Sequence, residues 1–91
     1  MTVTREVTLV NKYGMHVRPA GALAKVCQKY ESEITVANAG NAVSGKSVLG
    51  LMTLEASVGT VLKVTAEGGD ADLAVAEIEE LVKNHFGIAD E

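Results

Sequence analysis

Val3, Val7 and Leu9 alternate with polar Thr4, Glu6 and Thr8, the two-residue period of a strand with one buried face. Asn11-Lys12-Tyr13-Gly14 breaks that pattern, and from residue 17 the period lengthens. Ala20, Leu23, Ala24 and Cys27, with Tyr30 at the same spacing, form one helical stripe, while Lys25, Gln28 and Lys29 take the opposite face. Pro19 is compatible with this helix because it falls in the first turn, where backbone N–H groups have no helical partner.

The run EITVANAGNAV predicts two short strands around an Asn38-Ala39-Gly40-Asn41 turn, with Ile34 and Val36 inward on the first. In TVLKVTAEGG, Leu62, Val64 and Ala66 alternate with Lys63, Thr65 and Glu67 as another strand. After Gly68 and Gly69, a helical stripe runs through Ala71, Ala74, Val75, Ile78, Leu81, Val82 and His85, with Asp70 or Asp72 as its cap and Gly87 suited to its end. His85, in the last turn, is a favourable partner for the helix dipole rather than a ligand.

Between the third and fourth strands, Ser47 precedes an apolar run and is placed to cap a short helix over residues 48 to 54. The order is therefore β-α-β-β-α-β-α. Three helices on one face of a four-stranded antiparallel sheet would bury every stripe, giving an open-faced two-layer α+β sandwich. We expect one domain over residues 1–91, with no linker or internal repeat.

Residues 40 to 47, GNAVSGKS, satisfy the G-x-x-x-x-G-K-[ST] phosphate-loop pattern letter for letter. A phosphate-loop NTPase needs a parallel sheet with several crossover helices, and 91 residues are too few. The match is accidental in fold: Gly40 belongs to a hairpin turn, and only Gly45, Lys46 and Ser47 stand at a helix start.

Aromatic residues are only 3% of the chain, so the core is aliphatic and stacking on nucleobases has little to work with. A net charge of −4 argues further against nucleic acid as a partner. That charge is uneven, since residues 1 to 30 set Arg5, Lys12, Arg18, Lys25 and Lys29 against Glu6 alone. The first third therefore either attracts an anion or an acidic surface, or is simply a solvated basic face. Cys27 has no second cysteine to pair with and lies on an apolar stripe, which reads as a buried structural thiol. No stretch approaches the roughly 20 apolar residues of a membrane span. The expectation is a reduced, cytoplasmic, monomeric protein with no membrane partner.

GMHVRPA carries the chemistry. Gly14 permits a tight turn, His16 falls at or beside the helix N-cap, Arg18 follows in the first turn and Pro19 fixes the helix start. A neutral imidazole is nucleophilic near pH 7, and a helix N-terminus with a guanidinium stabilises a phosphoryl dianion. The alternative from these residues alone is a solvent-exposed histidine in a loop. A metal site is disfavoured, because His16 and His85 are the only histidines and no ligand pair has zinc spacing.

NKYGMHVRPAGALA resembles the active-site segment of HPr, the histidine-containing phosphocarrier family of the bacterial phosphoenolpyruvate-dependent phosphotransferase system. GKSVLGLMTLEASVG resembles that family's second signature, around a regulatory serine, and the two occur at matching separation. The resemblance covers essentially the whole chain. It implies a carrier rather than an enzyme, with no cofactor of its own, in which His16 takes a phosphoryl group on Nδ1 from phosphorylated enzyme I. With Arg18 assisting, His16 then passes the group to sugar-specific IIA proteins. It also implies phosphorylation of Ser47 by an ATP-dependent HPr kinase/phosphorylase, and through that a transcription regulator as partner.

Tyr13 departs from the Ser or Thr that often precedes the glycine of this turn, which puts any hydroxyl contribution there in doubt. Val17 stands where many members have Ala. In the short helix, Leu51 and Leu54 can face the sheet, leaving Val48, Leu49 and Met52 toward water as a docking patch. Alternatively, a neighbouring loop covers them. Arg18, Lys25, Lys29 and Lys46 would supply its basic edge.

Two other classes fit parts of the chain. An acylphosphatase-like enzyme would also use a Gly-rich turn and an arginine, but does not account for His16 or the second signature. A nitrogen-type or purely regulatory HPr paralogue is reminiscent in NKYGMH and LEAS. A metal chaperone of the same architecture fails for want of C-x-x-C.

Overall fold

In the computed structural model, which describes residues 1–88, β1 (Thr2–Thr8) buries Val7 and turns Thr4, Glu6 and Thr8 to solvent. The chain then passes through α1 (Val17–Gln28), β2 (Glu33–Asn38), β3 (Asn41–Ser44), α2 (Val48–Met52), β4 (Val61–Glu67) and α3 (Ala71–Lys83), ending in a 3₁₀ turn at His85–Gly87. The strands form one antiparallel sheet in the order β1-β4-β2-β3. β4 thus fills the gap left between β1 and β2, with Leu62 opposite Val7 and Val64 opposite Val36.

Ile34, Val36, Leu62, Val64 and Ala66 are all buried on the helix-bearing face. From the helices, Ala20, Leu23, Ala24 and Cys27 of α1 and Ala71, Ala74, Val75, Ile78 and Val82 of α3 close over them. The opposite face carries Thr4, Glu6, Lys63 and Glu67, all exposed, so the sandwich is open as the periodicity predicts.

Three local expectations are corrected. α2 ends at Met52 rather than residue 54, because the Thr53 hydroxyl donates to the Gly50 carbonyl at 2.6 Å and Glu55 turns away at φ 50°. His85 lies beyond α3, at φ 54° in the 3₁₀ turn that carries Phe86 into the core. Asp70 does occupy the N-cap position of α3, but its side chain makes no cap. Its carboxylate instead accepts from the Ser32 hydroxyl and from the amides of Glu31 and Ser32, joining α3 to the entry of β2. These bonds hold the Asp70 carboxyl below the usual carboxylate range.

A second tie runs between α1 and α3. The Tyr30 hydroxyl and the Lys29 ammonium both donate to the Glu77 carboxylate, which lowers its pKa. Bonding to that carboxylate pushes the Tyr30 phenol up to about 12.

Candidate functional site around the start of the first helix

The turn before α1 is fixed by three sets of bonds. Asn11, fully buried, donates from Nδ2 to the Gly14 carbonyl at 2.8 Å, and its own carbonyl accepts from the Gly14 amide at 3.3 Å. The His16 amide donates to the same Gly14 carbonyl at 3.1 Å. Met15, buried, donates its amide to the Ala56 carbonyl at 2.8 Å, which joins the turn to the segment after α2.

Gly14 is required at this place. Its φ is 68°, and a Cβ there would lie 2.3 Å from the Ala56 carbonyl oxygen. A side chain would push the turn off its neighbour.

His16 is the N-cap residue of α1 in extended conformation, and its carbonyl accepts the first helical bond from Ala20 at 2.9 Å. Its imidazole takes no part in capping. The ring is half-buried, with the Tyr13 ring edge-on to it at a centroid distance of 6.1 Å. The Lys12 ammonium lies 5.3 Å from the Tyr13 centroid, within cation–π range. Tyr13 therefore contributes a ring and an associated cation to the surroundings of His16.

Arg18 is exposed in the first turn of α1, two residues from His16, and the neighbouring Pro19 is buried. The first turn of α1 contains no acidic residue. Imidazole, guanidinium and the positive end of the helix dipole thus occupy one end of α1, an arrangement suited to a phosphoryl group.

Ser47 caps α2, its Oγ accepting from the Gly50 amide at 3.0 Å. The preceding loop is tied to the far end of α1 in both directions: Gln28 Nε2 donates to the Lys46 carbonyl at 3.0 Å, and Lys46 Nζ donates to the Tyr30 carbonyl at 2.7 Å. Gly45 packs where a Cβ would meet Ile34 Cγ2 at 2.9 Å and Cys27 Sγ at 3.0 Å. Residues 41 to 44 of the phosphate-loop pattern are β3, so no phosphate-cradling loop forms there.

Of the expected patch, Leu49 is 77% and Met52 38% exposed, whereas Val48 is half-buried against the core. Val17, 57% exposed in the first turn of α1, adds an aliphatic group that the patch reading lacks. Lys25 is exposed, but it lies nine residues from His16, about 13 Å along the helix axis. Lys29 and Lys46 are engaged with Glu77 and the Tyr30 carbonyl, so the basic edge is thinner than the sequence implies. Among the described residues no group of acidic, histidine or cysteine side chains forms a metal site, and no helix is long and apolar enough to cross a membrane.

The sequence reading missed Asn11. The available signal is an Asn at a strand end three residues before a turn glycine, a place where its amide can bond the backbone.

Residues 3–84 match the family model for the PTS HPr component phosphorylation site. This chain belongs to the HPr family. The phosphocarrier protein HPr of Borreliella burgdorferi is 43% identical over 82 residues, which cover 90% of this chain and 95% of that one. The phosphocarrier protein NPr of Shewanella violacea is 39% identical over 82 residues, 90% of each chain. A crystal structure of HPr from Thermoanaerobacter tengcongensis is similar at TM-score 0.91 and 33% identity, covering 96% of this chain and 98% of that one.

HPr-family membership makes this chain a phosphocarrier of the phosphotransferase system rather than an enzyme, and the acylphosphatase alternative falls. Its partners are other proteins of that system.

Proposed function

We propose that His16 is the residue that carries the phosphoryl group, accepting it on Nδ1 from phosphorylated enzyme I and passing it to sugar-specific IIA proteins. The observation that carries this reading is the imidazole at the N-cap of α1, not used for capping, with Arg18 in the same turn. The Nδ1 lone pair of the neutral ring attacks phosphorus, and the donor keeps the electron pair of the bond that breaks. Charge on the transferring oxygens is met by the helix N-terminus and by Arg18. Handing the group on reverses these steps.

The whole chain, residues 1–91, acts in this reading as one cytoplasmic, monomeric domain without a cofactor. Partners dock on Leu49, Met52 and the exposed flank of Val48, with Lys25 and Lys46 toward the rim, an encounter small enough to be transient. Ser47 is the regulatory site, phosphorylated by an HPr kinase/phosphorylase and, in that form, recognised by a transcription regulator. A phosphate on its Oγ adds about −2 of charge beside the patch and slows transfer from enzyme I.

Incubation with enzyme I, magnesium and labelled phosphoenolpyruvate tests the first claim. Acid-labile label on the wild type and none on His16→Ala is expected; undiminished label on His16→Ala sinks it. ATP with the kinase tests the second, through acid-stable label lost in Ser47→Ala.

The 39% identity to an NPr supports a second reading, a nitrogen-type carrier with the same His16 chemistry and different acceptors. Transfer rates from the phosphorylated chain to sugar-type and nitrogen-type IIA proteins separate the two.

A further inference from the structure

We propose that Asn11 is a positioning residue for phosphoryl transfer, one that turns the Gly14 carbonyl inward and thereby sets His16. The inference rests on the reading of His16 as acceptor.

The Gly14 carbonyl accepts two donors, Asn11 Nδ2 at 2.8 Å and the His16 amide at 3.1 Å. Asn11 is fully buried and Gly14 is buried, so this oxygen points into the protein. That direction matters for an anion. A carbonyl oxygen turned toward solvent at this turn would set its negative end against the arriving phosphoryl oxygens, whereas one held inward leaves the helix N-terminus and Arg18 to meet them. Gly14 is also the residue whose missing Cβ makes the turn easiest to rearrange, so its peptide needs a side chain to hold it. Asn11 supplies that side chain from the loop three residues after β1, and the Met15 bond to Ala56 fixes the next peptide. The His16 backbone then enters α1 along a single path.

The donor is the essential feature. An aspartate has nearly the same shape but, when ionised, only accepts hydrogen bonds. Burial favours the neutral carboxyl, whose O–H can still donate, so Asn11→Asp separates the donated bond from the packing only at a pH high enough to ionise it, and Asn11→Ala removes both.

The experiment measures phosphoryl transfer from phosphorylated enzyme I to the wild type, Asn11→Asp and Asn11→Ala, together with hydrogen exchange of the His16 amide in the unphosphorylated proteins. The expected result is a fall of about tenfold to a hundredfold in the rate at saturating donor for both variants. The apparent KM stays near the wild-type value, and the His16 amide exchanges faster. Asn11→Asp with wild-type rate and wild-type His16 exchange at a pH where its carboxyl is ionised overturns the proposal, as does Asn11→Ala with wild-type values of both.

Should both variants fail to fold, the wild type still decides. Scalar coupling across the hydrogen bond from Asn11 Nδ2 to the Gly14 carbonyl should persist in the phosphorylated protein, and its loss on phosphorylation overturns the proposal. Failure of the His16 reading is distinguished by label that survives in His16→Ala, whereas the exchange and coupling measurements need no assumption about where the phosphate goes.

Discussion

The Met15 amide and the Ala56 carbonyl, 2.8 Å apart, join the turn that carries His16 to the segment that follows α2. The same carbonyl oxygen stands 2.3 Å from the place a Cβ on Gly14 would occupy. The turn and the segment after α2, far apart in sequence, therefore meet at one peptide. Anything that moves residues 54–57 moves the His16 turn.

Gly14→Ala is accordingly expected to cost about 3 kcal/mol, combining a left-handed backbone with a clash against main chain. Gly59→Ala is the control. Gly59 also has positive φ, 87°, but nothing lies within 4 Å of its Cβ position, so only the backbone cost of about 1 kcal/mol remains. Chemical denaturation of both variants checks the difference, and equal losses would remove the steric part of the argument.

Much of this arrangement is legible in the sequence. The strands and the two long helices declare themselves because burial of one face imposes a period of two or 3.6 on apolar residues such as Ile34 and Val36, or Ala74 and Ile78. The N-cap positions of His16 and Ser47 follow from Pro19 and from the apolar run after Ser47. What escapes is decided by contacts distant in sequence. Asp70 looks like a cap, yet its carboxylate finds Ser32 across the fold. Val48 looks exposed until the core packs against it. α3 stops short of His85 because Phe86 is drawn inward.

Acid should weaken the ties made by Asp70 and Glu77. Both carboxyls titrate lower in the fold than their ordinary values of 3.8 and 4.5, Asp70 chiefly through the Ser32 hydroxyl and Glu77 chiefly through Lys29. A depressed folded pKa gives stability that is complete above the ordinary value and lost as pH falls through the folded one. The thermal midpoint is expected to be flat near neutrality and to decline below about pH 4.5. In the Asp70→Asn, Glu77→Gln double variant that decline should be shallower and the neutral-pH midpoint lower. An unchanged acid limb would show that other carboxylates control it.

Gly45 and Cys27 should be energetically coupled. Gly45→Ala pushes a methyl against Cys27 Sγ and Ile34 Cγ2, at a cost of about 1–3 kcal/mol. Removing the sulfur first opens one side of that contact, so the same change in a Cys27→Ala background should cost less, by on the order of 1 kcal/mol. Strict additivity refutes the coupling. Burial also raises the Cys27 thiol to about 12, so at pH 8 the native protein should react with a maleimide only as fast as it opens.

Ser47 has a structural task separate from any modification. Ser47→Ala removes the bond to the Gly50 amide and should lower stability by about 1 kcal/mol. Ser47→Asp should retain most of it, because a carboxylate accepts from the same amide and suits the helix dipole. Thermal unfolding distinguishes them. If alanine and aspartate destabilise equally, the cap contributes nothing.

Leu49 and Leu51 lie two residues apart on α2, and they separate docking from packing. Leu51 is fully buried, so Leu51→Ala should cost about 2–5 kcal/mol through the cavity it leaves. Leu49 is 77% exposed and gains little from folding, so Leu49→Ala should change stability by no more than about 0.5 kcal/mol. In the proposed reading, this exposed aliphatic side chain on a five-residue helix is part of the docking surface. Leu49→Ala is therefore expected to raise the apparent KM for phosphorylated enzyme I while leaving the rate at saturation near the wild-type value, the signature of lost binding that is uniform along the reaction. A fall in the saturated rate at constant KM would instead place Leu49 in the transfer step, and unchanged values of both would remove it from the docking surface.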